Sequence, residues 1–207
     1  MATTAEDQGE EELTADPITR FRALLAEAEA IDRSVLPEPT AMMLATVGAD
    51  GQPSLRVVLL KAVDERGFVF YTNLESRKGR ELSAHPQAAL CFHWQVLERQ
   101  VRIEGDAEPV SAAEADAYFA TRARLSQIGA WASRQSRALS SDAELDERVH
   151  EMERRFAGVK VPRPPHWSGF RVVPQRIEFW RNRAYRLHER LVYERAGGQW
   201  RVIRLYP

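Results

Sequence analysis

Between Ala41 and Val110 the chain passes through five short apolar-rich runs: "AMMLATV" (41–47), "SLRVVLLKA" (54–62), "FVFYT" (68–72), "AALCFHW" (88–94) and "LERQVRIEGDAEPV" (97–110). The turn-forming stretches "GADGQP" and "VDERG" separate the first three, which is the pattern of consecutive strands. Strand patterning returns near the C-terminus in "GFRVVPQRIEFW", "YRLHERLVYER" and "WRVIRLY", the last two joined by the turn "AGGQ". Many strands with few helices predict an α+β fold built on a mainly antiparallel barrel.

The helices are legible from their ends. In "DPITRFRALLAEAEA" Asp16 can cap, Pro17 suits the first helical position, and Phe21, Leu24, Leu25 and Ala28 form an apolar stripe. "SRKGRELSAHP" (76–86) reads as a short helix stopped by Pro86. Ser111 and Glu114 make a capping box at the head of "SAAEADAYFATRAR". In "SSDAELDERVHEMERRFAG" the residues Leu145, Val149, Met152 and Phe156 share one face, and "VPRPPHW" (161–167) is an extended connector. No repeat or linker interrupts residues 16–207, which predicts a single domain there, whereas residues 1–15 are polar and acidic and are expected to be disordered.

The formal net charge of -1 conceals an asymmetry, because Glu6, Asp7, Glu10, Glu11, Glu12 and Asp16 all precede the first basic residue, Arg20. Setting those six aside leaves 24 acidic residues against 29 basic ones. A mildly basic body suits a small anionic ligand better than a nucleic-acid polymer. Cys91 is the single cysteine, which excludes an intramolecular disulfide and a multi-cysteine metal site. The five histidines are scattered, so no metal centre is expected. With no apolar run near about 18 residues and no basic signal region, the expectation is a soluble, cytoplasmic protein without membrane or nucleic-acid partners.

Neither G-x-x-x-x-G-K-[ST] nor G-x-G-x-x-G occurs, so the common helix-based nucleotide cradles are missing. What remains are basic clusters mixed with hydroxyl and amide groups. "RVVLLK" places Arg56 and Lys61 at opposite parity, so a regular strand would send them to opposite faces and a shared site would need a bulge. "YTNLESRKGR" joins a strand to a helix start where Arg77 or Lys78 could hold a phosphate. "LERQVRIEG" sets Glu98, Gln100 and Arg102 on one face, and "RARLSQIGAWASRQS" combines Arg122, Ser126, Gln135 and Ser136. In "IEFWRNRAYRLHER" the alternation of Arg186, His188 and Arg190 predicts a strand with three cationic or potentially cationic groups on one face. That face is either solvated or set against an anion, with Trp180 as an aromatic wall.

Taken together, "RVVLLK", "FYTNLESRKGREL", "LERQV", "SQIGAWASRQS", "PHWSGFRV" and above all "IEFWRNRAYRLHER" resemble the pyridoxine (pyridoxamine) 5′-phosphate oxidase family over residues 16–207. The resemblance implies an FMN-binding split β-barrel that works as a homodimer with flavin at the interface. It implies oxidation of pyridoxine or pyridoxamine 5′-phosphate to pyridoxal 5′-phosphate, with dioxygen reduced to hydrogen peroxide. By matched motif, Arg56, Lys61, Tyr71, Thr72, Arg77, Lys78 and Gln100 would contact FMN from one subunit. Gln135, Ser136, Trp180 and Arg190 would complete the flavin site, partly across the interface. Lys61, Tyr118, Arg122 and Ser126 would meet the substrate phosphate, and Arg186 and His188, the catalytic pair, would face the pyridine ring.

The sequence departs from the family in one respect. An Arg and a Tyr often precede the first helix in the family and close over substrate, yet here no Arg precedes Arg20 and no Tyr precedes Tyr71. Glu38 stands where the family often has an Asp near the substrate. Two other readings stay open: a phenazine-pathway type flavin oxidase of the same fold, and a flavin- or pyridoxal-phosphate-binding protein without turnover.

Overall fold

The computed structural model describes residues 16–207, so the expectation for residues 1–15 lies outside the described residues. Helix α1 (Pro17–Glu29) begins as anticipated: the Asp16 carboxylate accepts from the Thr19 amide at 2.9 Å, with Pro17 in the first turn. Ile18, Phe21 and Ala28 are buried, and Leu24 and Leu25 pack at the margin.

Strands β1 (Ala41–Val47), β2 (Pro53–Leu59), β3 (Ala62–Asp64) and β4 (Gly67–Asn73) follow. After helix α2 (Arg77–Ala84) come β5 (Gln87–Trp94) and β6 (Arg99–Pro109). Three helices, α3 (Ala112–Thr121), α4 (Arg124–Ala132) and α5 (Asp142–Arg155), precede β7 (Trp167–Arg181), β8 (Glu189–Ala196) and β9 (Gln199–Arg204).

All pairings are antiparallel, in the order β2-β1-β5-β6-β7-β4-β3, with β8 and β9 branching from β7. β7 makes the branch possible. One edge pairs with β6, while the other pairs with β4 over Trp167–Val172 and with β8 over Arg176–Arg181. Between those stretches lies Pro174, which has no amide to donate, and the register against β6 shifts between Glu104 and Gly105, leaving Gln175 of β7 as the extra residue of a bulge. The result is a curled half-barrel sheet around Phe21, Phe68, Phe70, Phe92, Trp94 and Phe170. A second cluster, including Phe119, Ile128, Met152, Phe156 and Trp167, lies beneath α3–α5.

Four expectations need correction. The run 54–62 is two strands: at the break, the Leu60 amide donates to the Thr40 carbonyl and the Lys61 amide to the Val69 carbonyl. The chain there leaves β1 and joins β4, bridging two arms of the sheet. Strand β8 starts at Glu189, not at Tyr185, because residues 182–188 must reverse the chain between antiparallel neighbours β7 and β8. Tyr185 and Arg186 adopt left-handed φ values of 58° and 62° in that reversal, so Arg186, His188 and Arg190 do not form an alternating strand face. Glu98 likewise sits at a left-handed φ of 54° before β6, which removes it from the face of Gln100 and Arg102. Leu145 is exposed on α5, where Val149, Met152 and Phe156 do pack inward.

Candidate anion-binding cleft

One cleft of about 640 Å³ gathers Arg56, Lys61, Tyr71, Thr72, Lys78, Tyr118, Arg122, Ser126 and Gln135, nine of the residues singled out from sequence. The break after β2 reconciles the parity of Arg56 and Lys61: only Arg56 belongs to β2, and Lys61 follows the crossing to β4. β4 supplies Tyr71 and Thr72, the head of α2 supplies Lys78, and α3–α4 supply Tyr118, Arg122 and Ser126.

α2 is set close to the end of β4. Ser76 is fully buried, donates to the Asn73 carbonyl at 2.6 Å and accepts from the Gly79 amide at 3.3 Å. A Cβ at Gly79 would collide with backbone at Asn73 and Leu74, so only glycine permits this approach. The Lys78 ammonium donates to Gln135 Oε1 at 3.0 Å, and burial together with the nearby Arg56 lowers its pKa. Thr72 also reaches Gln135 at 3.5 Å, and Ser136 turns the chain at a left-handed φ of 68°.

Glu81, which the motif reading passed over, organises the basic end of this cleft. Its buried carboxylate accepts from Thr46 at 2.5 Å, Ser54 at 2.6 Å, Arg77 Nε at 2.8 Å and Arg56 Nη2 at 3.2 Å. Burial pushes its pKa up, but the four donors outweigh burial and hold it at about 2. Arg56 also donates to Leu44 O and Thr46, so most of its fork is spent within the protein. Arg77 lies on the exposed side of α2, outside the cleft lining. The i, i+4 spacing of Arg77 and Glu81 was the available signal; the approach of Thr46, Ser54 and Arg56 was not.

Arg122 contrasts with Arg56. Its guanidinium lies 4.9 Å from the Trp167 ring centroid and 5.7 Å from that of Phe119, while its buried Nη1 has no hydrogen-bond partner. Burial lowers its pKa, although an arginine stays charged at neutral pH. Tyr71 and Tyr118 stack at 4.1 Å, and Tyr71 stacks on Trp167 at 5.3 Å, so an aromatic wall runs along the cleft. Glu38 accepts from Thr40 at 2.6 Å; this bond, opposed by burial and aided by the charge of Lys61, lowers its pKa.

Trp180, His188 and Arg190 line a different cleft of about 470 Å³, with Arg20, Arg99 and Arg204. The Trp180 and His188 rings are 4.7 Å apart, and His188 Nδ1 accepts from the Arg183 amide at 3.3 Å, leaving Nε2 to carry the proton. Arg190 grips Glu178, 1% exposed, at 2.8 and 3.2 Å and donates to Tyr206 O at 3.2 Å. Burial pushes the Glu178 pKa up, and Arg190, Arg102 and Arg176 together hold it below the usual value. Arg186 is exposed on the β7–β8 loop, and Gln100 stands in β6 opposite Trp180. Within one chain, then, nine of the anticipated residues line the first cleft and Trp180, His188 and Arg190 the second, while Arg77, Gln100, Ser136 and Arg186 line neither.

An antiparallel split barrel with an arginine- and lysine-lined cleft defines the class of protein. Residues 29–181 match the model described as pyridoxamine 5′-phosphate oxidase, and residues 167–207 match the pyridoxine 5′-phosphate oxidase C-terminal dimerisation region. The chain belongs to the pyridoxamine 5′-phosphate oxidase family and is an oxidoreductase. A pyridoxine/pyridoxamine 5′-phosphate oxidase from Myxococcus xanthus strain DK1622 is 62% identical over 192 residues, 93% of this chain and 92% of its own. One from Gluconobacter oxydans is 56% identical, covering 95% and 96% respectively. Among solved structures, PhzG from Burkholderia lata 383, in complex with tetrahydrophenazine-1-carboxylic acid, superposes with a TM-score of 0.86 at 34% identity, covering 100% of this chain and 98% of that one. An FMN-binding protein from Nostoc punctiforme shares the fold at a TM-score of 0.72 and 17% identity, over 90% of this chain and 97% of its own. No helix among the described residues is long and apolar enough to cross a membrane.

Proposed function

We propose that this protein is an FMN-dependent oxidase, acting as a homodimer, that converts pyridoxine or pyridoxamine 5′-phosphate into pyridoxal 5′-phosphate. The observation that carries this reading is the buried Arg122 Nη1, which has no protein partner in a cleft that also presents Lys61, Tyr118 and Ser126. A buried donor left unpaired costs free energy, and a phosphate oxygen would satisfy it. FMN suits the residues present: Lys78, Gln135 and Thr72 form a polar cradle at the head of α2, and Tyr71 lines the same cleft. When bound, FMN would supply the two-electron redox chemistry at the substrate's 4′-carbon, with dioxygen as the final acceptor giving hydrogen peroxide, and with water entering and ammonia leaving when the substrate is the amine.

The chain's own groups hold and orient. Lys61, Tyr118, Arg122 and Ser126 bind the substrate phosphate, while Lys78 and Gln135 bind that of FMN from within the cleft and Arg77 approaches it from the exposed side of α2. Arg56, tied to Glu81, acts from behind as a fixed positive charge. Trp180, His188 and Arg190 would complete the site from the partner subunit, which accounts for their separation from the first cleft. The match of residues 167–207 to a dimerisation region supports this arrangement. On this reading Arg186, on its exposed loop, and His188, donating through Nε2, meet the pyridine ring.

The likeness to PhzG favours a second reading, oxidation of a phenazine precursor. The curated relatives at 56% and 62% identity weigh against it. Peroxide release decides between them. Purified protein should be yellow, run at twice the 23.6 kDa chain mass, and release peroxide with pyridoxine 5′-phosphate but far more slowly with pyridoxine. Equal turnover of the two, or a colourless monomer that ignores added FMN, would refute the assignment.

A further inference from the structure

Four arginines at least partly withdrawn from solvent are anchored in two different ways. Arg56 is tied to Glu81, Arg171 to Asp64 and Glu114, and Arg190 to Glu178. A carboxylate anchor fixes a guanidinium but cancels its charge and occupies part of its fork. Arg122 has no ion pair among the described residues, and its Nη1 is buried without a hydrogen bond. What holds it is aromatic: the Trp167 ring at 4.9 Å and the Phe119 ring at 5.7 Å. Trp167 is itself fixed, being 6% exposed, edge-to-face with Phe119 at 5.1 Å and stacked on Tyr71 at 5.3 Å. A ring face attracts a cation through its quadrupole without accepting an N–H in the guanidinium plane.

We propose that Trp167 is a positioning residue for the anion subsite of the cleft. Its indole holds the Arg122 guanidinium in place while leaving the full charge and the hydrogen-bonding edge of the arginine to the substrate's phosphate. The inference rests on the proposed function for the identity of that phosphate, but not for the geometry. It explains why a half-buried cation is tolerated here with no carboxylate beside it. An acidic anchor at this place would compete with the ligand, whereas an aromatic one does not.

The test weakens the ring's attraction without changing its shape. Tryptophans bearing one to four ring fluorines are incorporated at position 167 alone, and the holoenzyme is assayed. Each added fluorine should raise KM for pyridoxine 5′-phosphate and weaken binding of inorganic phosphate, reaching about 3- to 30-fold across the series. kcat and FMN affinity should stay within about twofold, since neither depends on Arg122 being held. Trp167→Leu should match the end of the series and Trp167→Phe should recover part of the loss; if Trp167→Leu does not fold, the fluorinated proteins decide. A flat phosphate affinity across the series would overturn the proposal, as would a joint decline of kcat, FMN affinity and KM performance. Failure of the unmodified enzyme to oxidise pyridoxine 5′-phosphate would instead overturn the functional reading, while the phosphate titrations would still judge Trp167.

Discussion

Two arginines in this chain pose opposite problems, and substitution should separate them. Arg122 has a buried nitrogen that nothing in the protein satisfies, so its charge is available to a ligand. Arg122→Ala should lower kcat/KM for pyridoxine 5′-phosphate by about 30-fold or more, the usual consequence of truncating one partner of a buried charge pair. FMN affinity, measured in parallel by fluorescence titration, should change little, because the flavin phosphate is assigned to the head of α2. Arg190, in contrast, is committed to Glu178. Arg190→Ala leaves that buried carboxylate with only Arg102 and Arg176, each at 3.5 Å, and should cost about 2–3 kcal/mol in urea unfolding. Adding Glu178→Gln should recover most of the stability without restoring FMN affinity. Recovery of both would return Arg190 to a purely structural role.

At the scale of elements, the cleft depends on where α2 begins. The helix has only eight residues, too short to be stable alone, and Ser76 ties its first turn to the end of β4. Ser76→Ala removes the acceptor for the Gly79 amide and the donor to Asn73, and should cost about 1–2 kcal/mol. Because Arg77 and Lys78 ride on that turn, FMN should also bind more weakly; an unchanged dissociation constant would show that the cap is dispensable to the cradle. The β7–β8 connection makes the complementary point. Strand alternation in "YRLHER" is genuine as a pattern, yet Tyr185–His188 have to turn the chain, and the hairpin's geometry overrides the pattern until Glu189.

For the whole molecule, Glu81 joins three chain segments: Thr46 on β1, Ser54 and Arg56 on β2, and Arg77 on α2. Its folded pKa of about 2 lies below the ordinary glutamate value of 4.5. A depressed folded value means that the stabilisation is complete above about 4.5 and is lost as pH falls toward about 2. Acid unfolding should therefore steepen through that window. Glu81→Gln, which cannot ionise, should flatten this limb while lowering stability at neutral pH. An acid limb identical to wild type, followed by circular dichroism, would show that Glu81 does not govern it.

Much of this protein was legible in its sequence because the deciding forces there are local. Caps at Asp16 and Ser111 act within three residues of themselves, strand alternation reports burial on one face, and the family motifs carry their spacing with them. Nine of the anticipated residues do meet in one cleft. Tertiary structure alone decided the rest, since it depends on groups distant in the chain. Arg56 and Lys61 share a cleft only because the backbone breaks to bridge β1 and β4. Arg56 is spent on Glu81, 25 residues away, and Arg122 lies over Trp167. Whether an arginine is neutralised by a carboxylate or left charged against a ring is set by packing, and no residue spacing along the chain encodes it.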